Sequence, residues 1–160
     1  MDIDRAALDA LEATLRHEIP LTRAMGVTVA GFGTTGLTLH APLAPNLNHK
    51  HTAFGGSLAT LATLAGWGLL QLLLREHPPV TVVIQESTVS YLHPVAADFE
   101  ARCALPPPDE LDRFRRTLDR RGVARIGLEV VIPSGEEIAV RFHGRFVAFD
   151  RRRYPQAGPA

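Results

Sequence analysis

Two adjacent glycines, Gly55 and Gly56, stand in the stretch NHKHTAFGGSLATL where a polar loop gives way to a long apolar run. Residues 57–74 carry no charge and read as a helix, so the glycines fall in its first turn. Backbone N–H groups there have no intrahelical acceptor and sit at the positive end of the helix dipole. Such a turn can hold an anion or a developing oxyanion, and glycine lets a ligand carbonyl come close because no side chain blocks it. A second use stays equally open: bare backbone also lets a helix pack tightly on a sheet. No Gly-Lys-Ser/Thr follows, so a nucleotide P-loop is not indicated.

Other reactive side chains give weaker signals. His49 and His51 lie two residues apart in the loop with no evident third ligand, so no metal is expected. Ser57 lies in no Gly-x-Ser-x-Gly elbow, and Cys103 alternates with polar neighbours as a core-facing strand residue does.

The elements that must position the glycines follow from periodicity. Leu8, Leu11, Leu15 and Ile19 recur at helical spacing behind Asp4, and Pro20 stops the pattern. Residues 26–33 and 36–43 alternate and read as a hairpin about Thr34-Thr35. The loop PLAPNLNHKHT then leads into the apolar helix, which ends near His77 before Pro78-Pro79. Beyond it the period becomes two, in residues 80–92, 99–105, 126–132 and 138–146, which predicts four antiparallel strands. Leu111, Phe114 and Leu118 mark a short amphipathic helix closed by Gly122. Residues 1–150 are expected to form one domain and residues 151–160 a loose tail.

The sum is an α+β fold: an antiparallel sheet wrapped around one long buried helix, preceded by an N-terminal helix. One sheet cannot surround a helix so uniformly apolar, which predicts burial against a second copy in a two-fold dimer.

Composition narrows the partners. Basic and acidic residues balance at 17 each, so no overall field draws in nucleic acid or an anionic membrane. A single cysteine excludes an internal disulfide framework and suits a reducing compartment. The amino terminus lacks the pattern of a signal peptide, and a cytoplasmic location is expected. The uncharged run approaches spanning length. Ser57, Thr60, Thr63, Gln71, Gly66 and Gly68 interrupt it and favour a core helix.

The hairpin, the asparagine-bearing loop, the glycine-initiated helix and a strand ending in Tyr91-Leu92-His93-Pro94 together resemble the hot-dog thioesterases. Within them NHKHTAFGGSLATLATLAGW is most similar to the YiiD C-terminal branch, and the likeness runs from about Ile19 to Phe149. The resemblance implies that the Gly55 N–H binds a thioester carbonyl and that Asn48 places the carbonyl or the attacking water. It implies substrate contacts from Phe54, Gly56, Ser57 and Tyr91, with the acyl chain at a dimer interface. The partner would be acyl-CoA or an acyl carrier protein. No cofactor of its own is implied, because the substrate carries coenzyme A or phosphopantetheine.

The chain departs from that pattern in two places. Where many relatives have His before the first glycine and Asp or Glu eight residues after it, this chain has Phe54 and Thr63. Thr63 can orient a water or a carboxylate but is a poor base. Glu86, His49 and His51 are the remaining bases. Hydrolysis of an acyl thioester is the first expectation. The alternatives are decarboxylation of a malonyl thioester, with Asn48 and Thr63 orienting the carboxylate and Phe54 drying it, or acyl-thioester binding without turnover. Lys50, Arg120, Arg121 and Arg125 are candidates to meet a pantetheine phosphate or an acidic carrier surface.

Overall fold

The computed structural model describes residues 3–77 and 79–155. Asp4 accepts a hydrogen bond from the Ala7 amide at 2.9 Å and starts helix α1 (Arg5–Glu18), which buries Leu11 and Leu15. Pro20 ends α1 as expected, but it also opens a second helix, α2 (Pro20–Met25), which the sequence reading missed. Proline lacks the N–H that a first helical position does not need, so one residue both stops and starts.

The hairpin follows as β1 (Thr28–Gly33) and β2 (Gly36–Ala41), with Gly33 opposite Gly36. Gly36 has φ +111°, and a Cβ on it would lie 2.0 Å from the Cys103 carbonyl oxygen, so no other residue fits. A 3₁₀ turn (Ala44–Asn46) leads through the loop to α3 (Gly55–Leu73), whose first turn holds both glycines as expected. Strands β3 (Val80–Tyr91) and β4 (Phe99–Cys103), helix α4 (Pro108–Arg121), and strands β5 (Val123–Ser134) and β6 (Glu137–Asp150) complete the chain.

The six strands form one antiparallel sheet in the order β1-β2-β4-β5-β6-β3. Its inner face carries Leu39, Ala101, Ile126, Leu128, Phe142 and Phe146, and α3 lies against it, with α1 closing another side. At Gly66 helix and sheet come close: a Cβ there would sit 2.5 Å from the Phe146 ring. This is the hot-dog arrangement.

α3 buries Leu58, Leu61, Ala62, Leu64, Ala65, Leu69, Leu70, Leu72 and Leu73 within its own chain. It is long and apolar enough to cross a membrane, yet 61% of its apolar window is already buried inside the fold. Helix α1 packs on part of the side that the sheet leaves open, and Ala59, Thr60, Thr63, Trp67 and Gln71 of α3 stay partly exposed.

The tail also differs from expectation over residues 151–155. Arg152 grips Asp150 through Nε at 3.0 Å and Nη2 at 2.8 Å, and Arg153 donates to the Arg120 and Asp119 carbonyls at the end of α4. Tyr154 packs edge-on against Phe149. Residues 156–160 lie outside the described part of the chain.

Candidate active site

Helix α3 begins without a side-chain cap. Its N-cap residue is Phe54, whose side chain has no hydrogen-bonding atom, so the first-turn N–H groups of Gly55, Gly56 and Ser57 must look beyond the helix for acceptors.

The preceding loop is held firmly enough to fix that turn. Asn46 is 2% exposed, and its Nδ2 donates to the Met25 and Pro42 carbonyls, each at 2.8 Å. Its own carbonyl accepts the Phe54 N–H at 2.7 Å, while Ala53 N–H bonds the Val95 carbonyl at 2.7 Å. Asn46 thus ties α2, the end of the hairpin and the entry to α3 together. Nothing in the sequence PLAPNLNHKHT distinguished it from Asn48; only burial does.

Asn48 is employed mainly in its own loop. Its Oδ1 accepts from the Lys50 and Thr52 amides at 2.8 and 3.2 Å, and its Nδ2 donates to Thr52 Oγ1 at 2.9 Å. A long 3.4 Å contact to the Ala53 carbonyl leaves one Nδ2 hydrogen weakly held. His51 adopts φ +61° at the loop tip, and His49 and His51 are both exposed. Among the described residues no three His, Cys, Asp or Glu side chains gather as a metal would require.

Tyr91 reaches the helix start from the end of β3, and its hydroxyl donates to the Gly55 carbonyl at 3.1 Å. The two glycines are bare for different reasons. A Cβ on Gly55 would meet only the Tyr91 ring, at 3.5 Å, which is ordinary contact. On Gly56 it would lie 2.3 Å from Phe54 Cε1. Packing therefore accounts for Gly56, against a movable ring, and leaves Gly55 without a packing reason. The structure brings Phe54, Gly55, Gly56, Ser57 and Tyr91 together at one end of α3.

Residues 8–150 match the family described as "Putative thioesterase (yiiD_Cterm)". The chain belongs to this YiiD C-terminal family. Similar solved structures include a protein of unknown function, OLEI01261, from Chlorobaculum tepidum TLS, with 31% identity and a TM-score of 0.86 over 91% of this chain and 99% of that one. Another is described as a putative thioesterase from Shewanella oneidensis, with 29% identity and a TM-score of 0.82 over 91% and 99% of the two chains. Thioesterase HI1161 of Haemophilus influenzae shares the fold at 16% identity, with a TM-score of 0.71 over 94% and 93%.

For this YiiD C-terminal family member, the remaining predicted residues lie apart from the glycines. Thr63 is eight residues along α3, about 12 Å by helical rise, and its hydroxyl donates to the Ala59 carbonyl at 2.9 Å. Glu86 lies on the outer face of the sheet, away from α3, where its Oε1 is 3.6 Å from Arg145 Nη1. The cause is a β-bulge at Gln85: Ile84 pairs with inward-facing Phe146, but Glu86 pairs with outward-facing Arg145. The same step turns Tyr91 inward.

The basic candidates are scattered as well. Arg125 donates to Gln85 at 3.1 Å, and Arg120 and Arg121 lie on α4, which meets the far end of α3 through a 2.9 Å bond from Arg115 to the Leu73 carbonyl. A groove of about 820 Å³ near Phe32, Leu73 and Leu111 also lies at that far end and contains no predicted site residue. Cys103 is buried in β4, and burial pushes its thiol pKa up to about 12, so it is no nucleophile.

Proposed function

We propose that the chain acts on acyl thioesters of coenzyme A or an acyl carrier protein, with the thioester carbonyl seated on the first-turn N–H groups of α3. The observation that carries this reading is the uncapped helix start, where Gly55 is bare although its surroundings would admit a side chain. A preorganised N–H directed at developing negative charge contributes about 3 to 4 kcal/mol in other enzymes. Hydrolysis is the reaction that the family description names: water adds to the carbonyl carbon, the oxyanion rests on Gly55, and the C–S bond breaks to free the thiol.

A second reading, decarboxylation of a malonyl thioester, is supported by where Glu86 lies. Among the described residues no carboxylate or imidazole bonds Phe54, Gly55, Gly56, Asn48 or Thr63, and this reaction needs no base. The bond between carboxylate and α-carbon breaks, its electron pair forms an enolate held at Gly55, and protonation of the α-carbon gives the acetyl thioester.

Either reading engages a second copy of the chain. Gly55 and Thr63 of one helix are too far apart for a malonyl group to touch both, whereas Thr63 of a second copy can complete the site. Strand β3 lies at the sheet edge with an unpaired side, and Val83, Tyr91 and Leu92 near it are exposed, as suits a homodimer.

Mass spectrometry of malonyl-CoA, octanoyl-CoA and malonyl-acyl carrier protein after incubation tests the proposal. Free thiol identifies hydrolysis, and an acetyl thioester lighter by one carbon dioxide identifies decarboxylation. Tight binding with every thioester intact would reduce the protein to a binding module.

A further inference from the structure

We infer that Tyr91 is a positioning residue: its hydroxyl fixes and polarises the peptide that joins Gly55 to Gly56, making the Gly56 N–H a second donor to the thioester carbonyl. The inference rests on the thioester reading given above and adds a donor and a supporting residue to it.

The argument begins with peptide geometry. The Gly55 carbonyl oxygen and the Gly56 N–H belong to one planar, trans unit, so whatever holds the oxygen also sets the direction of the N–H. The Tyr91 hydroxyl holds that oxygen at 3.1 Å. A bond to a carbonyl draws electron density away from the peptide nitrogen and strengthens its N–H as a donor, by about 10 to 30% in condensed-phase estimates.

Two aromatic rings flank this peptide. The Tyr91 ring lies beside Gly55, and the Phe54 ring occupies the space where a side chain on Gly56 would go. Rings on both residues thin the water around the N–H and raise the worth of its interaction with a developing charge.

Tyr91 carries no comparable duty in the fold. It is 53% exposed, and among the described residues its hydroxyl bonds the Gly55 carbonyl alone. The main chain around it is held independently, since the Leu92 and His93 amides both donate to the Ala139 carbonyl, at 2.8 and 3.2 Å. Losing the hydroxyl should therefore leave the chain folded.

The test compares wild type, Tyr91→Phe and a chain with 3,5-difluorotyrosine at position 91, using malonyl-CoA and octanoyl-CoA. For whichever thioester wild type turns over, Tyr91→Phe should lower kcat about tenfold, the scale of one hydrogen bond, with KM and melting temperature unchanged. Difluorotyrosine, whose phenol ionises at lower pH, should restore kcat in mild acid. Its activity should fall as the phenol loses its proton, because a phenolate cannot donate to a carbonyl. Unchanged kcat in Tyr91→Phe would overturn the inference while leaving the thioester reading intact. A rise in KM alone would also overturn it, by placing the phenol on the substrate. If wild type turns over neither thioester, the underlying reading falls and the inference falls with it.

Discussion

Glu86 meets Arg145 across the outer face of the sheet, Oε1 to Nη1 at 3.6 Å, while Phe146 beside Arg145 points the other way, into α3. Glu86 therefore cannot reach a carbonyl at Gly55 of its own chain. Glu86→Gln should leave turnover within about twofold of wild type, since exposed pairs of this kind contribute little. A loss of several hundredfold, with free thiol as product, would return Glu86 to the role of base.

Replacing Gly55 should separate stability from activity. Because its Cβ position is open, Gly55→Ala should raise stability by about 0.5 kcal/mol through helix propensity. Turnover should nevertheless fall tenfold or more, on the order of a weakened oxyanion contact. Urea denaturation and initial rates on one preparation measure both.

Asn48 holds its loop through Oδ1 and offers hydrogen atoms through Nδ2. Asn48→Asp keeps the acceptors for the Lys50 and Thr52 amides but removes the donors and adds negative charge beside the helix start. Its melting temperature should stay near wild type while activity drops at least tenfold. Asn48→Ala should lose both. Equal activity in Asn48→Asp and wild type would confine this residue to loop structure.

A site that takes Gly55 from one copy and Thr63 from another predicts complementation. Gly55→Ala and Thr63→Val homodimers should each be impaired, and co-refolded mixtures should recover about a quarter of wild-type turnover, the statistical share of intact sites. No recovery in proven mixed dimers would place both residues in a single-chain site or remove one of them.

Cys103 predicts an alkaline instability. Burial, with Glu129 adding to it, raises the folded thiol pKa from 9.0 to about 12. Above about pH 9 the unfolded chain gains by ionising and the folded chain does not, so stability should fall as pH rises from 9 towards 12. Cys103→Ala should flatten that part of the slope, read from urea midpoints at about pH 8 and about pH 10.

The parts of the fold visible in the sequence were those fixed by local chemistry. The uncharged run named α3, and Gly33-Thr34-Thr35-Gly36 named the hairpin, because turn geometry and apolar periodicity act within a few residues. The glycines stand out by their place at the helix start and Tyr91 through motif likeness, and the structure adds why they meet. The burial of Asn46 and the outward face of Glu86 were not legible, for another reason. Whether an asparagine in a loop is buried, and which face a strand residue takes, depend on partners distant in sequence. Pro20 shows a local ambiguity of its own, since the same ring ends one helix and begins the next.

The bulge at Gln85 works as a change of reading frame within β3. Before it, even-numbered residues such as Val82 and Ile84 face the helix; after it, odd-numbered residues such as Val89 and Tyr91 do. The same sequence paired in strict alternation, with Gln85 taking a place in the ladder, would present Glu86 and Ser90 to the helix and turn Tyr91 outward, keeping every strand while showing the helix an acid instead of a phenol. Which side chains the end of β3 turns towards the helix is thus set by leaving Gln85 out of the ladder, a residue whose own side chain accepts from Arg125.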